Sequence, residues 1–108
     1  MRIVLSPDNG SKVLSGRESG EFDRKSFGLD FLDEQFIGGS DMAVHVIIPQ
    51  EVRSVDSGYF LGLFGPSVRA LGEKEFNRRY LFECTDAIRK QCVEPGIRSA
   101  LKASHVRP

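Results

Sequence analysis

Ala43-Val44-His45-Val46-Ile47-Ile48-Pro49-Gln50-Glu51-Val52-Arg53-Ser54-Val55-Asp56-Ser57-Gly58-Tyr59-Phe60-Leu61-Gly62-Leu63-Phe64 is the stretch whose reading decides the fold. Its first six residues are β-branched and apolar on both alternating sets, which predicts a central strand covered on both faces. Pro49 closes that strand, because proline cannot donate to a central ladder. Gln50 to Val55 reads as a connector. Asp56-Ser57-Gly58 then precedes a helix-like run in which Phe60, Leu61, Phe64, Val68 and Leu71 share one face at about 100° per residue. That face is expected to pack on the strand Val44 to Ile48. Pro66 lies inside the run and predicts a kink, or a second segment starting after Gly65.

Toward the N-terminus, Arg17 to about Phe36 reads as a helix with Phe22, Leu29, Leu32 and Phe36 on one face. Phe27 and Phe31 fall nearly opposite, so either the helix bends at Gly28 or it carries a second apolar stripe for a partner or a second copy. Before it, Arg2 to Ser6 and Lys12 to Ser15 are short strands around Pro7-Asp8-Asn9-Gly10-Ser11, and Asn-Gly between apolar runs predicts a hairpin. Toward the C-terminus, Glu73 to Arg79 is a charged link with a helical turn around Phe76, and Tyr80 to Cys84 is a strand. Thr85-Asp86 caps a helix over Ala87 to Cys92, Pro95-Gly96 interrupts, and Ile97 to Ala103 forms the last helix. Four strands separated by helices imply an α/β sheet with helices packed on it. Residues 1–103 form one domain and 104–108 a tail.

Composition agrees with a single globular domain. Of 108 residues 40% are apolar, and 15 basic side chains balance 15 acidic ones. Zero net charge argues against a dedicated nucleic-acid binder, although residues 1–54 carry −3 and residues 55–108 carry +3. Arg78-Arg79, Arg89-Lys90 and Arg98 have no interleaved aromatics to stack bases. The longest near-apolar stretch, Gly58 to Gly65, is about eight residues against roughly 20 for a membrane span. Ile3-Val4-Leu5 is cut off by Ser6-Pro7-Asp8, so no secretory signal is expected and the location is read as cytoplasmic. Cys84 and Cys92 are too few for a disulfide scaffold or a zinc site and read as reduced, mostly buried thiols.

Catalytic chemistry finds little material. No phosphate-binding glycine loop with a lysine and no GxGxxG pattern opens a helix, so no cofactor and no metal are expected. Gly16-Arg17-Glu18-Ser19-Gly20 reads as a turn and helix start. His45 reads as a hydrogen-bonded core histidine rather than a general base. Asp30, Asp33 and Glu34 read as the solvated side of a helix.

Three motifs together resemble the STAS fold of bacterial anti-anti-sigma factors. The first is the central strand, the connector and Val55-Asp56-Ser57-Gly58 before an apolar helix. The second is Leu14-Ser15-Gly16-Arg17 at a strand end, and the third is Cys84-Thr85-Asp86-Ala87-Ile88-Arg89. Arg17, Asp56-Ser57 with Phe60-Leu61, and Gly72-Glu73-Lys74-Glu75-Phe76 are similar to the STAS-like family of unknown function DUF4325. The resemblance spans roughly residues 12–103. It departs at Pro49-Gln50, where the family often ends the strand in Asp-Phe, and at Gly58, where the anti-anti-sigma motif has a second serine. It implies a STAS-like mixed sheet of about four strands opening with a β-hairpin. It also implies a non-catalytic module that binds a protein partner, such as a GHKL-type ATPase or kinase. Ser57 would then be the phosphorylated switch, flanked by Asp56 and Gly58, with Arg17, Phe27 and Phe31 on the partner surface. Two alternatives stand beside it. One is a small hydrolase or transferase using Ser57 or Cys84 with His45. The other is a structural homodimeric subunit.

Overall fold

Two separate sheets organise the chain, whose computed structural model describes residues 1–7 and 11–105, with side chains through Lys102. β3 (Val44–Ile47) lies between β1 (Arg2–Val4) and β5 (Tyr80–Glu83), and both neighbours run parallel to it. Arg2, His45 and Leu81 stand level, as do Val4, Ile47 and Glu83. β2 (Val13–Leu14) pairs in parallel with β4 (Ser54–Val55) as a second, two-stranded sheet. The α/β class read from the sequence therefore holds, but the strands divide three and two, all in parallel pairings, rather than forming one four-stranded mixed sheet. Parallel neighbours need long crossovers, and helices supply them here.

The expected hairpin is corrected in the same way. Its Asn9-Gly10 turn lies outside the described residues, while β1 and β2 belong to different sheets. A local turn signal carries no information about partners, and Ile3 is buried in the same core as Val46 and Phe82.

Helices α1 (Arg17–Phe27) and α2 (Leu29–Ile37) meet at Gly28, which adopts φ 70° and caps α1 through its N–H to the Arg24 and Lys25 carbonyls. Leu29, Leu32 and Phe36 are buried as expected, but Phe22 is 69% exposed. The inward stripe of α1 is instead Gly20 and Arg24, one turn apart, with Phe27 half-buried one turn further on. Helix α3 (Ser57–Leu71) continues through Pro66, so no second segment starts after Gly65. Only one intrahelical hydrogen bond is forfeited there, and the buried face of Phe60, Leu63, Phe64, Ser67 and Val68 stays in phase. Leu61 and Leu71, read with the same face, are only partly buried against the core. Helix α4 (Glu73–Arg79) follows after Gly72 at φ 83° and buries Phe76.

Thr85 Oγ1 accepts the Ile88 N–H and starts α5 (Asp86–Ile88). A π-helical stretch (Arg89–Val93) joins α5 to α6 (Glu94–His105) without the interruption expected at Pro95-Gly96. The Glu94 N–H bonds the Arg89 carbonyl five residues back. That widened turn relieves the clash a proline ring makes with the carbonyl four residues earlier. Gly96 lies against Phe60, where a Cβ would come 2.7 Å from Phe60 Cε1.

Phe60, Phe64, Phe76, Tyr80 and Phe82 form a continuous aromatic cluster, with Phe64 touching the other four at ring separations of 5.2 to 5.8 Å. In the three-stranded sheet Ile3, Val44, Val46, Tyr80 and Phe82 point into this core, while Arg2, Val4, His45, Leu81 and Glu83 are exposed. The central strand is thus covered on one face only by the described residues. His45 is accordingly not a core histidine: its Nδ1 stands 3.0 Å from Glu83 Oε2 on the bare face. Among the described residues no helix is long and apolar enough to cross a membrane.

Candidate functional site

Parallel pairing of β2 with β4 brings two chain reversals side by side. β2 leads through Ser15-Gly16 into α1, and β4 leads through Asp56 into α3, so the two helix N-termini share one end of the molecule. The Asp56 N–H donates to the Leu14 carbonyl at 2.7 Å and fixes this juxtaposition. Asp56 caps α3 from an extended backbone (φ −62°, ψ 143°), its Oδ2 accepting the Gly58 N–H at 3.1 Å. The same oxygen accepts the Gly16 N–H ahead of α1 at 3.4 Å. One carboxylate thus answers orphan donors, and the positive dipole ends, of two helices. A Cβ at Gly58 would sit 2.9 Å from Asp56 Oδ2, so a side chain there would shift the capping carboxylate.

Ser57 is the first residue of α3. It is exposed, and among the described residues its hydroxyl makes no hydrogen bond; the helix cap is Asp56. Arg17 opens α1 beside it, exposed, with Nε 3.6 Å from Glu21 Oε2. Phe27 ends α1, about 15 Å along the axis from Arg17, and packs partly against the core. Phe31 lies on α2 and is 64% exposed. The structure therefore gathers Asp56, Ser57, Gly58 and Arg17 at one place and leaves Phe27 and Phe31 elsewhere.

The groups considered for catalysis are not joined. No hydrogen bond among the described residues links His45 to Ser57 or Cys84. Cys84 is half-buried, and burial pushes its thiol pKa up, only partly offset by Arg89, so thiolate is scarce at neutral pH. Among the described residues no cluster of three or more histidine, cysteine or acidic side chains could hold a metal ion.

Sequence reasoning missed a buried polar network. Asp33 is buried rather than solvated: Oδ1 accepts the Tyr80 hydroxyl at 2.7 Å, and Oδ2 accepts the Ser67 hydroxyl at 2.5 Å and Arg24 Nη2 at 2.9 Å. Arg24 Nη1 donates to the Ser67 hydroxyl and the Leu63 carbonyl, both at 2.8 Å, and Nε and Nη2 hold the exposed Asp30. Burial, followed by the Asp33 hydrogen bond, raises the Tyr80 pKa above its ordinary value. The network ties α1, α2, α3 and β5 together, and no buried side-chain polar atom among the described residues lacks a partner. Glycine spacing is the signal that could have exposed it. Gly16 and Gly20, and Gly58 and Gly62, each lie four apart, the pattern of two helices in backbone contact. Close approach of α1 to α3 is what carries Arg24 inside.

In comparison with known proteins, the chain matches no family model, no curated protein and no solved structure.

Proposed function

We propose that the chain is a small non-catalytic module that binds a protein partner through the shared N-terminal end of α1 and α3, with Ser57 as its switch. The observation that carries this reading is an exposed, unbonded hydroxyl at the head of α3, next to a carboxylate that serves two helix N-termini. The resemblance to STAS-like domains, including the finer fold assignment, belongs to the same proposal, and so do a cytoplasmic location and a GHKL-type ATPase or kinase as partner.

The physics of the switch differs from a simple anion site. A phosphoryl group on Ser57 would bring about −1.5 to −2 charge to the N-terminus of α3. Asp56 already occupies the Gly58 and Gly16 N–H groups. Phosphate and carboxylate would repel each other and compete for these donors, with Arg17 the nearest exposed cation on α1. Modification would therefore rearrange the cap as well as add charge.

Capture of partners from the native host, followed by affinity measurement, tests the proposal. Ser57→Asp is expected to weaken partner binding more than tenfold, above about 1.4 kcal/mol, while Ser57→Ala binds normally. Because Asp56 is the cap, Ser57→Ala should change stability by less than about 0.5 kcal/mol, and Asp56→Ala should cost about 1 kcal/mol or more. If both Ser57 variants bind alike and native protein carries no phosphate on Ser57, the switch is refuted.

The second reading, a homodimeric subunit, is favoured by the exposed apolar side chains Phe31 and Ile37 of α2. Sedimentation decides it. A monomer at all concentrations removes the homodimer.

A further inference from the structure

The bare face of the three-stranded sheet carries six side chains in two level rows: Arg2, His45 and Leu81, then Val4, Ile47 and Glu83. With strands about 4.8 Å apart and alternate residues about 6.7 Å apart, the six span a rectangle of roughly 10 by 7 Å. Val4, 46% exposed, and Leu81, 38% exposed, stand at two opposite corners. Arg2 and Glu83 stand at the other two, about 12 Å apart. The exposed Arg2 guanidinium has no hydrogen bond or ion pair among the described residues. Glu83 gives Oε2 to His45 Nδ1 at 3.0 Å and keeps Oε1 open among the described residues. The face is therefore an apolar diagonal with a cation on one side of it and an anion on the other.

We propose that this face packs against the same face of a second copy, about a two-fold axis lying in the interface along the Val4–Leu81 diagonal. Rotation about that line brings Arg2 of each copy to Glu83 of the other and sets His45 of each beside Ile47 of the other. Val4 and Leu81 lie along the axis and bury one another's apolar surface. The strands of the two sheets then cross at about 70°, near the orthogonal class of sheet packing. A two-fold contact needs a patch complementary to itself, and opposite charges placed on either side of an apolar stripe supply that. A helix, the usual cover of parallel strands, would lay its apolar stripe across both corner charges; a second copy pairs both. Six side chains make a small patch, so the dimer is a weak one that forms at high micromolar concentration. This face shares no residue with the Ser57 site or with Phe31 and Ile37 of α2, so each of those readings can fail without it.

Sedimentation equilibrium of the intact chain, from dilute to millimolar protein, tests it. The expected outcome is a reversible monomer–dimer equilibrium. Arg2→Glu and Glu83→Arg should each weaken the dimer by roughly tenfold or more, because like charges then face each other. The double variant Arg2→Glu/Glu83→Arg should restore it, since the pairs re-form with their signs exchanged. Both side chains are exposed, so the melting temperature of the dilute monomer should be unchanged in all three. Phe31→Asp should leave the dimer intact. A monomer at every concentration, a dimer indifferent to either single substitution, no recovery in the double variant, or loss of the dimer in Phe31→Asp would each overturn the proposal, and the last would place the contact on α2.

Discussion

Asp33 shows how much one carboxylate's neighbours decide. Its oxygens accept from Arg24, Ser67 and Tyr80, all buried, so its removal leaves a buried phenol without its acceptor and takes from the buried Arg24 guanidinium one of its two carboxylates, Asp30 being the other. Breaking a buried pair from one side costs more than the pair contributes, because the remaining charge keeps its desolvation penalty. Asp33→Ala should therefore lose about 3–5 kcal/mol in urea unfolding; a loss under about 1 kcal/mol would mean that Asp33 sits at the surface, as its sequence context suggests. Tyr80 supplies a pH signature. Its folded-state pKa is raised, first by burial and then by the Asp33 hydrogen bond. The folded protein thus holds this proton more tightly than the unfolded chain does. The stabilisation is complete below about pH 10, the ordinary tyrosine value, and is lost as pH rises above it toward the raised one. Tyrosinate absorbance, taken as the difference from Tyr80→Phe, should show no titration of Tyr80 near pH 10 in the folded state. Titration at that pH would show an accessible phenol.

At the scale of elements, the α1–α3 pair reverses the usual effect of glycine. Replacing a helix-interior glycine by alanine normally gains up to about 1 kcal/mol in propensity. At Gly20, however, a Cβ would overlap the Tyr59 carbonyl and come 2.9 Å from the Leu63 nitrogen. At Gly62 it would overlap the Arg17 carbonyl and come 3.0 Å from the Glu21 nitrogen. These are backbone atoms of the facing helix and cannot rotate away, so sterics outweigh propensity. Gly20→Ala and Gly62→Ala should each destabilise by about 2 kcal/mol or more. Gly65→Ala provides the contrast: its Cβ would meet only the Arg69 guanidinium, 3.3 Å away on a flexible side chain, and should be neutral to mildly stabilising. Thermal melts of the three variants check the ordering, and equal effects would remove the claim of backbone contact. Much of this pairing was legible, since the glycine spacing is present in the chain. Periodicity analysis passed over it because it weighs large apolar residues, and on α1 it pointed to Phe22, which is exposed.

On the scale of the whole molecule, the described residues pack the core on one face of the sheet, and Phe64 is its centre. Phe64 is 1% exposed and touches Phe60, Phe76, Tyr80 and Phe82. Phe64→Ala should cost about 3–5 kcal/mol through lost burial and the cavity left behind, and an unchanged denaturant midpoint at unchanged m-value would contradict the placement. His45, by contrast, lies on the bare face with Glu83, so His45→Ala should alter stability by less than about 0.5 kcal/mol. Parallel sheets usually have both faces covered, which is why an apolar run on both alternating sets suggests a fully buried strand.

The sequence by itself determined the α/β class, the strand at Val44–Ile47, the Thr85 cap and the burial of Phe60, Phe64 and Val68 on α3, and it offered the break at Gly28 as one of two alternatives. Each depends on interactions within a few residues along the chain, on period, turn chemistry or capping. Tertiary structure alone decided which strands pair, that the described residues cover the sheet on one face, that Asp33 and Arg24 go inside, and that Asp56 spans two helix N-termini. Those outcomes depend on partners tens of residues away, such as Leu14 for Asp56 and Tyr80 for Asp33. A carboxylate or an Asn-Gly turn has the same local propensities whether its partner is water or a distant strand, and long-range packing makes the choice between them.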